Sequence, residues 1–115
     1  MNIVVCVKQV PATTEVRIDP ETNTLIREGL QSTINPYDTY ALEEALRIKG
    51  LVGGRVTALS MGIPAARKML KDTLTLGVDQ AVLLTDRRFA GADTLATAYA
   101  LAAGVQAVGG VDLVI

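Results

Sequence analysis

The sequence of 115 residues predicts a three-layer α/β domain, with helices on both faces of a mostly parallel sheet. Three observations lead there. The run Ile3-Val-Val-Cys-Val7 is apolar and mostly β-branched with no polar alternation, which is how a strand buried on both faces reads. Strand-like runs then alternate with helical patterns along the chain, the signature of βαβ units and right-handed crossovers. Finally, half of the residues are hydrophobic, yet there are only three Tyr, one Phe and no Trp, so the core is aliphatic. A chain of this length is one small domain that buries roughly two-thirds of its unfolded surface.

The first strand stops at Lys8-Gln9, and Pro11 cannot donate to a ladder, so the chain leaves the main sheet there. Ligands of open α/β sheets bind outside the carboxyl ends of the strands, which makes Lys8 to Pro11 the first place to look for a site. Glu15-Val-Arg-Ile18 and Thr24-Leu-Ile-Arg27 alternate polar and apolar around the turn formers Asp19-Pro-Glu-Thr-Asn23, predicting a β-hairpin insertion near the N-terminus. Asn35-Pro-Tyr-Asp38 opens a helix: Asn35 caps, Pro36 suits the first position and Asp38 places negative charge in the first turn. Its apolar spacing through Tyr40, Ala41, Ala45, Leu46 and Ile48 ends at Gly50, with Glu43 and Arg47 set for a surface pair.

Arg55 to Ser60 is the next strand, ending at Met61-Gly62. Pro64 starts a helix that closes at Gly77, and Gln80 to Leu84 is a third strand. Thr85 to Gly91 is a polar loop, Asp93-Thr94 begins an Ala-rich helix reaching Val108, and Val111 to Ile115 starts a fourth strand. A buried strand at the last residue suggests the first part of a longer domain. Lys8, Met61 and Thr85 then share one carboxyl edge with the helix starts at Asn35, Pro64 and Asp93.

Composition excludes several functions. A net charge of −1 with scattered Lys and Arg leaves no footprint for nucleic acid. The absence of His removes imidazole metal ligation and His-based acid–base catalysis, and no metal site is expected. One cysteine forms no internal disulfide, which fits a reducing cytoplasm. No basic stretch precedes the first apolar run, so it is not a signal peptide. Thr94 to Val111 is uncharged but rich in Gly, Thr and Gln, and it reads as a buried or half-buried helix rather than a membrane span.

No Gly-rich phosphate fingerprint, Walker lysine loop, paired cysteines or nucleophile–base pair is present. Chemistry falls to helix amino ends and strand-end backbone, which favour anions. Thr94 and Thr97 either bind a phosphate or simply open a helix capped by Asp93; an Asp there repels phosphate unless it takes a ribose hydroxyl. Lys8 either neutralises a phosphate or marks where the strand meets water. Cys6 reads as an inert core thiol, Asn35 and Asp38 as capping residues, Met61-Gly62 as a close-approach point or an ordinary turn, and Arg87-Arg88 as a solvated loop pair or one that faces an anionic cofactor or partner.

Val7-Lys8-Gln9-Val10-Pro11, Asn35-Pro36-Tyr37-Asp38 followed by Ala41 to Leu46, and Ser60-Met61-Gly62 together resemble the amino-terminal half of the β subunit of electron transfer flavoproteins. Thr85 to Thr97 is similar to the branch with electron-bifurcating and nitrogen-fixation-associated members, whose β subunit holds a second FAD where simpler members hold AMP. The resemblance implies a Rossmann-like, adenine-nucleotide α-hydrolase-like fold with Cys6, Val7 and Lys8 lining an adenosine pocket through backbone contacts. It implies that Asn35 and Asp38 fix the nucleotide, that Met61-Gly62 packs close to it, and that Asp93, Thr94 and Thr97 reach the ribityl or diphosphate part of FAD. Such a chain is a cytoplasmic electron-carrier subunit, not itself an enzyme. It works with an α subunit and passes electrons between NADH, an acyl-CoA dehydrogenase, and a quinone- or ferredoxin-linked oxidoreductase, without inserting in a membrane. Two departures stand: Ala12 replaces a usual Asp, and the family's diphosphate loop follows the strand that begins at Val111. The alternatives are an AMP-binding structural subunit, a universal-stress-type nucleotide module, and a ligand-free scaffold.

Overall fold

The computed structural model describes residues 1–11, 18–23 and 32–115. Its centre is a four-stranded parallel sheet of β1 (Asn2–Cys6), β4 (Arg55–Met61), β5 (Gln80–Leu84) and β6 (Leu113–Val114) in the order β5-β4-β1-β6. Gln9–Pro11 (β2) and Ser32–Ile34 (β3) form a separate antiparallel pair. The chain thus leaves the main sheet at Lys8 as expected, and Gln9–Pro11 then pairs as a strand outside it. Pro11 is tolerated because it ends the strand, where its missing donor opens no gap in a ladder.

The hairpin expected at 15–18 and 24–27 lies, but for Ile18, outside the described residues. Its turn is described: Asn23 N donates to Asp19 O at 2.8 Å and Glu21 N to Asp19 Oδ1 at 2.9 Å, with Asn23 at a left-handed φ of 53°.

Helices α1 (Pro36–Val52) and α2 (Ala66–Thr75) cover one face of the sheet, α3 (Thr94–Val108) the other. The α1/α2 side is the main core, where Ile3, Val5 and Val7 meet Leu42, Ala45, Met69 and Leu70. Alternation along the strands sends Val4, Cys6, Leu59 and Met61 to the α3 side. The core is aliphatic, as composition required, and all three tyrosines are exposed.

Elements differ from their expected extent in three places. Helix α1 runs past Gly50 to Val52, because the left-handed break falls at Gly53 (φ 75°). Gly54 follows at φ 116°, where a Cβ would collide with the Met1 carbonyl, so the chain needs glycine to pass under the N-terminus. Helix α2 starts at Ala66, since Ile63 to Ala65 form a turn in which Ala66 N donates to Ile63 O at 2.9 Å. The loop after β5 contains a 3₁₀ turn at Arg87–Phe89, capped by Asp86 Oδ1 on Arg88 N at 2.9 Å.

Arg47 pairs with Glu44, not Glu43, through two contacts of 2.7 and 2.8 Å. The i,i+3 partner matches the guanidinium fork, and the pair is fully solvated. Among the described residues no helix is long and apolar enough to cross a membrane.

Candidate functional site

The order β5-β4-β1-β6 means the chain steps from β1 through β4 to β5 on one side, then returns to place β6 on the other side of β1. The β1/β6 boundary is therefore where the winding reverses, and the crevice at its carboxyl end is the general ligand position of such sheets.

Sequence-distant groups converge on that crevice. Lys8 N, just beyond β1, donates to Asp38 Oδ2 at 2.7 Å, and Asn35 N donates to Lys8 O at 2.8 Å. Asn35 Oδ1 caps α1 by accepting from Tyr37 N at 3.0 Å. Cys6 N donates to Ile115 O at 3.0 Å and Val7 N to Leu59 O at 2.9 Å. The amides of Cys6, Val7 and Lys8 are thus all committed within the protein. Lys8 is exposed and its ammonium is in no salt bridge among the described residues, and Asp38 Oδ1 has no hydrogen-bond partner among them. Val7 is 5% exposed with its side chain in the core, so only its backbone is available.

One strand over, Met61 and Gly62 end β4, and Gly62 N donates to Leu84 O at 3.0 Å. A Cβ at Gly62 would meet only the Ala66 Cβ at 3.6 Å, so the backbone here is open to approach. Sequence reading missed two members of this edge. Ile115 O accepts from Cys6 N at the end of the β1/β6 pair, and Ser60 Oγ, one residue before Met61, is fully buried without a partner among the described residues. A hydroxyl in a strand buried on both faces was the available signal for the second.

Helix α3 is placed less simply. Its close contact with the sheet is at Gly104, where a Cβ would lie 2.8 Å from Leu84 Cδ1 and 3.3 Å from both Leu59 methyls. Leu84 is the last residue of β5. At 1.5 Å per residue, Thr94 is then roughly 15 Å further along the helix axis, so the first half of α3 overhangs the carboxyl edge. Leu95 at 78% and Tyr99 at 82% exposure lie on the face of the helix turned away from Gly104. The inward stripe is Thr97, Ala100, Leu101, Gly104, Val105 and Val108, so the helix is half-buried as expected, but only along that line.

Asp93 caps α3 through Oδ1 on Ala96 N at 2.8 Å, leaving Oδ2 unbonded among the described residues. Thr97 is on the inward stripe and Thr94 is exposed. No hydrogen bond links these three to the β1 side among the described residues. The expected residues thus form two groups at one end of the molecule: a bonded cluster of Cys6, Val7, Lys8, Asn35 and Asp38 with Met61-Gly62 beside it, and a separate row along the overhang.

Burial, and then the Asp38 carboxylate, push the Cys6 thiol above its ordinary range, so it stays protonated at neutral pH. It is a polarisable apolar lining rather than a nucleophile. No group of three or more His, Cys, Asp or Glu suited to a metal occurs among the described residues. The donor set suits a nucleoside phosphate instead: two carboxylate oxygens for ribose hydroxyls, one ammonium and two threonine hydroxyls for phosphate oxygens, and an open glycine.

The layered sheet and its winding define a Rossmann-like α/β domain. An electron transfer flavoprotein domain model matches residues 22–115, and the chain belongs to that family. It is 61% identical over 106 residues to the electron transfer flavoprotein subunit beta of Clostridium acetobutylicum, covering 92% of this chain and 41% of that protein. It is 56% identical over 109 residues to the protein FixA of Azorhizobium caulinodans, covering 95% and 39%. To the caffeyl-CoA reductase-Etf complex subunit CarD of Acetobacterium woodii it is 54% identical over 116 residues, covering 100% and 44%. The chain spans about two fifths of the length of these relatives.

Proposed function

We propose that the chain is part of an electron transfer flavoprotein β subunit and contributes a single nucleotide-binding α/β domain that holds FAD at the carboxyl edge of the sheet. The observation that carries this reading is the Lys8–Asp38–Asn35 junction at the point where the winding reverses.

In this reading the crevice over Cys6, Val7 and Met61-Gly62 receives the adenosine, with Asp38 Oδ1 accepting from a sugar hydroxyl and Lys8 countering a phosphate. Asn35 is a positioning residue that holds the first turn of α1 against Lys8. Thr94 and Thr97 donate to the distal phosphate or ribityl oxygens, and Asp93 Oδ2 accepts from a hydroxyl there. When bound, the flavin supplies reversible one- and two-electron transfer. The protein's part is to bind, orient and exclude water. FAD is favoured over AMP because Asp93, Thr94 and Thr97 on α3 offer a second row of polar groups apart from the Lys8–Asp38 junction. The chain then serves as an electron carrier with an α subunit, exchanging electrons with NADH and a dehydrogenase, or with a quinone- or ferredoxin-linked oxidoreductase. Its setting is cytoplasmic.

The test is to purify the full-length protein with its α subunit, read the flavin absorbance per heterodimer and identify the extracted nucleotides. Two FAD per heterodimer, falling toward one on Thr94→Val with Thr97→Val, supports the reading. One FAD and one AMP overturns FAD here but keeps the nucleotide site. No bound nucleotide in this subunit removes the site altogether.

A further inference from the structure

The border of the sheet opposite β6 is open. Strand β5 pairs with β4 alone among the described residues, so alternate amides and carbonyls along Gln80–Leu84 point outward without a partner strand. On the α2 side of that border is a groove of about 480 Å³. Its floor is Ala81 and Leu83 of β5, and its wall is the helical stripe Arg67, Leu70, Lys71 and Leu74. The apolar part is Leu70, Leu74, Ala81 and Leu83; the charges that line it are cationic, and no carboxylate does so among the described residues. Neither Arg67 nor Lys71 has a salt-bridge partner among the described residues.

Cations near an open edge commonly serve to prevent strand pairing, and such guards sit on the edge strand itself. Here β5 reads Gln-Ala-Val-Leu-Leu and carries no charge, while the cations stand on the neighbouring helix. That arrangement leaves the backbone edge accessible and selects what approaches by sign. We propose that β5 and the α2 stripe form a docking groove for an extended acidic segment of a partner protein. The segment adds as a strand beside β5, sets alternate apolar side chains against Leu70, Leu74 and Leu83, and presents carboxylates to Arg67 and Lys71. The groove lies along β5, at the opposite border of the sheet from β6, and none of Lys8, Asn35 and Asp38 lines it, so the proposal does not depend on the nucleotide reading.

The probe is a fluorescein-labelled acetyl-Glu-Val-Glu-Val-Glu-Val-Glu-amide, titrated by anisotropy into the full-length protein with any subunit that co-purifies. Saturable binding is expected, with amide exchange at 81–84 slowed in the complex. Arg67→Glu combined with Lys71→Glu is expected to weaken binding by about tenfold or more, and the lysine counterpart of the peptide is expected not to bind. Both substituted side chains are exposed; Arg67→Gln with Lys71→Gln, which removes charge without reversing it, gives an intermediate loss and controls for folding. No saturable binding, equal binding of the lysine peptide, no loss in either variant, or unchanged exchange at β5 each overturns the proposal. So does a peptide-free dimer with the β5 amides already protected, since the edge would then belong to a second copy of the chain.

Discussion

The Asp38 carboxylate accepts the Lys8 amide at 2.7 Å, so one side chain in the first turn of α1 fixes the end of β1 across 30 residues of sequence. A capping-type acid thereby becomes the joint between the central strand and the helix that follows the insertion. It also lies close enough to raise the Cys6 thiol pKa, although burial contributes more.

Asp38→Asn is expected to keep the fold and to remove the charge felt by Cys6. The thiol pKa then falls part of the way back, with the burial contribution remaining. Iodoacetamide labelling of Cys6 measured against pH checks this: the variant's rate profile moves to lower pH. An unmoved profile means the carboxylate does not reach the thiol.

Asp79 accepts from Lys49 Nζ at 2.8 Å and from Val56 N at 2.9 Å. The Lys49 hydrogen bond, then the Val56 amide, hold its carboxyl below the usual range. A depressed folded pKa adds stability above the unfolded value of about 3.9, and that stability is lost as pH falls through the folded value. Wild type is therefore expected to be more stable than Asp79→Asn at pH 6, with the gap in Tm closing below about pH 4. Thermal melts of both proteins from pH 6 to pH 2 measure it.

Ser60 Oγ is buried without a hydrogen-bond partner among the described residues. Ser60→Ala removes the desolvated hydroxyl with little change in volume and is expected to raise stability by about 1 kcal/mol in urea unfolding. A loss of similar size instead would place a hydrogen-bonding group against this oxygen.

Gly104→Val is expected to destabilise the domain by about 2 kcal/mol, because the added atoms overlap Leu59 and Leu84. Gly104→Ala is milder: the Leu84 methyl is the mobile end of its side chain, and alanine recovers up to about 1 kcal/mol of helix propensity. Denaturant midpoints of the two variants rank the effects.

The layered fold was legible because its strands obey simple rules. Ile3–Val7 could only be a strand covered on both faces, and Asn35-Pro36 stated a helix start by capping and by ring geometry. Boundaries set by a single torsion were harder. Gly50 and Gly53 are both plausible stops for α1, and only the φ of 75° at Gly53 distinguishes them. The pairing of Gln9–Pro11 was not foreseen because its partner, Ser32–Ile34, is far away in sequence and too short to announce itself. The candidate site divided along the same line. Lys8 was singled out by its place at a strand end, a local signal, whereas Asn35 and Asp38 read locally as caps and joined the site only through the family resemblance. That Asp93 and Thr94 stand well off the edge depends on where α3 touches the sheet, a packing fact settled by the missing side chain of Gly104.

The support beneath α3 has a mechanical consequence. The helix is a cantilever with its fulcrum near Gly104 and its tip at Thr94. It is stiff because its backbone bonds are internal, and along the outer arm only Thr97, Ala100 and Leu101 are half-buried among the described residues. A pivot of about 10° at the fulcrum swings the tip by roughly 2.6 Å over the 15 Å arm, comparable to the length of a hydrogen bond. Whatever fills the space below the arm therefore sets its angle, and small repacking of Leu59 or Leu84 is levered into a change of reach at the threonines.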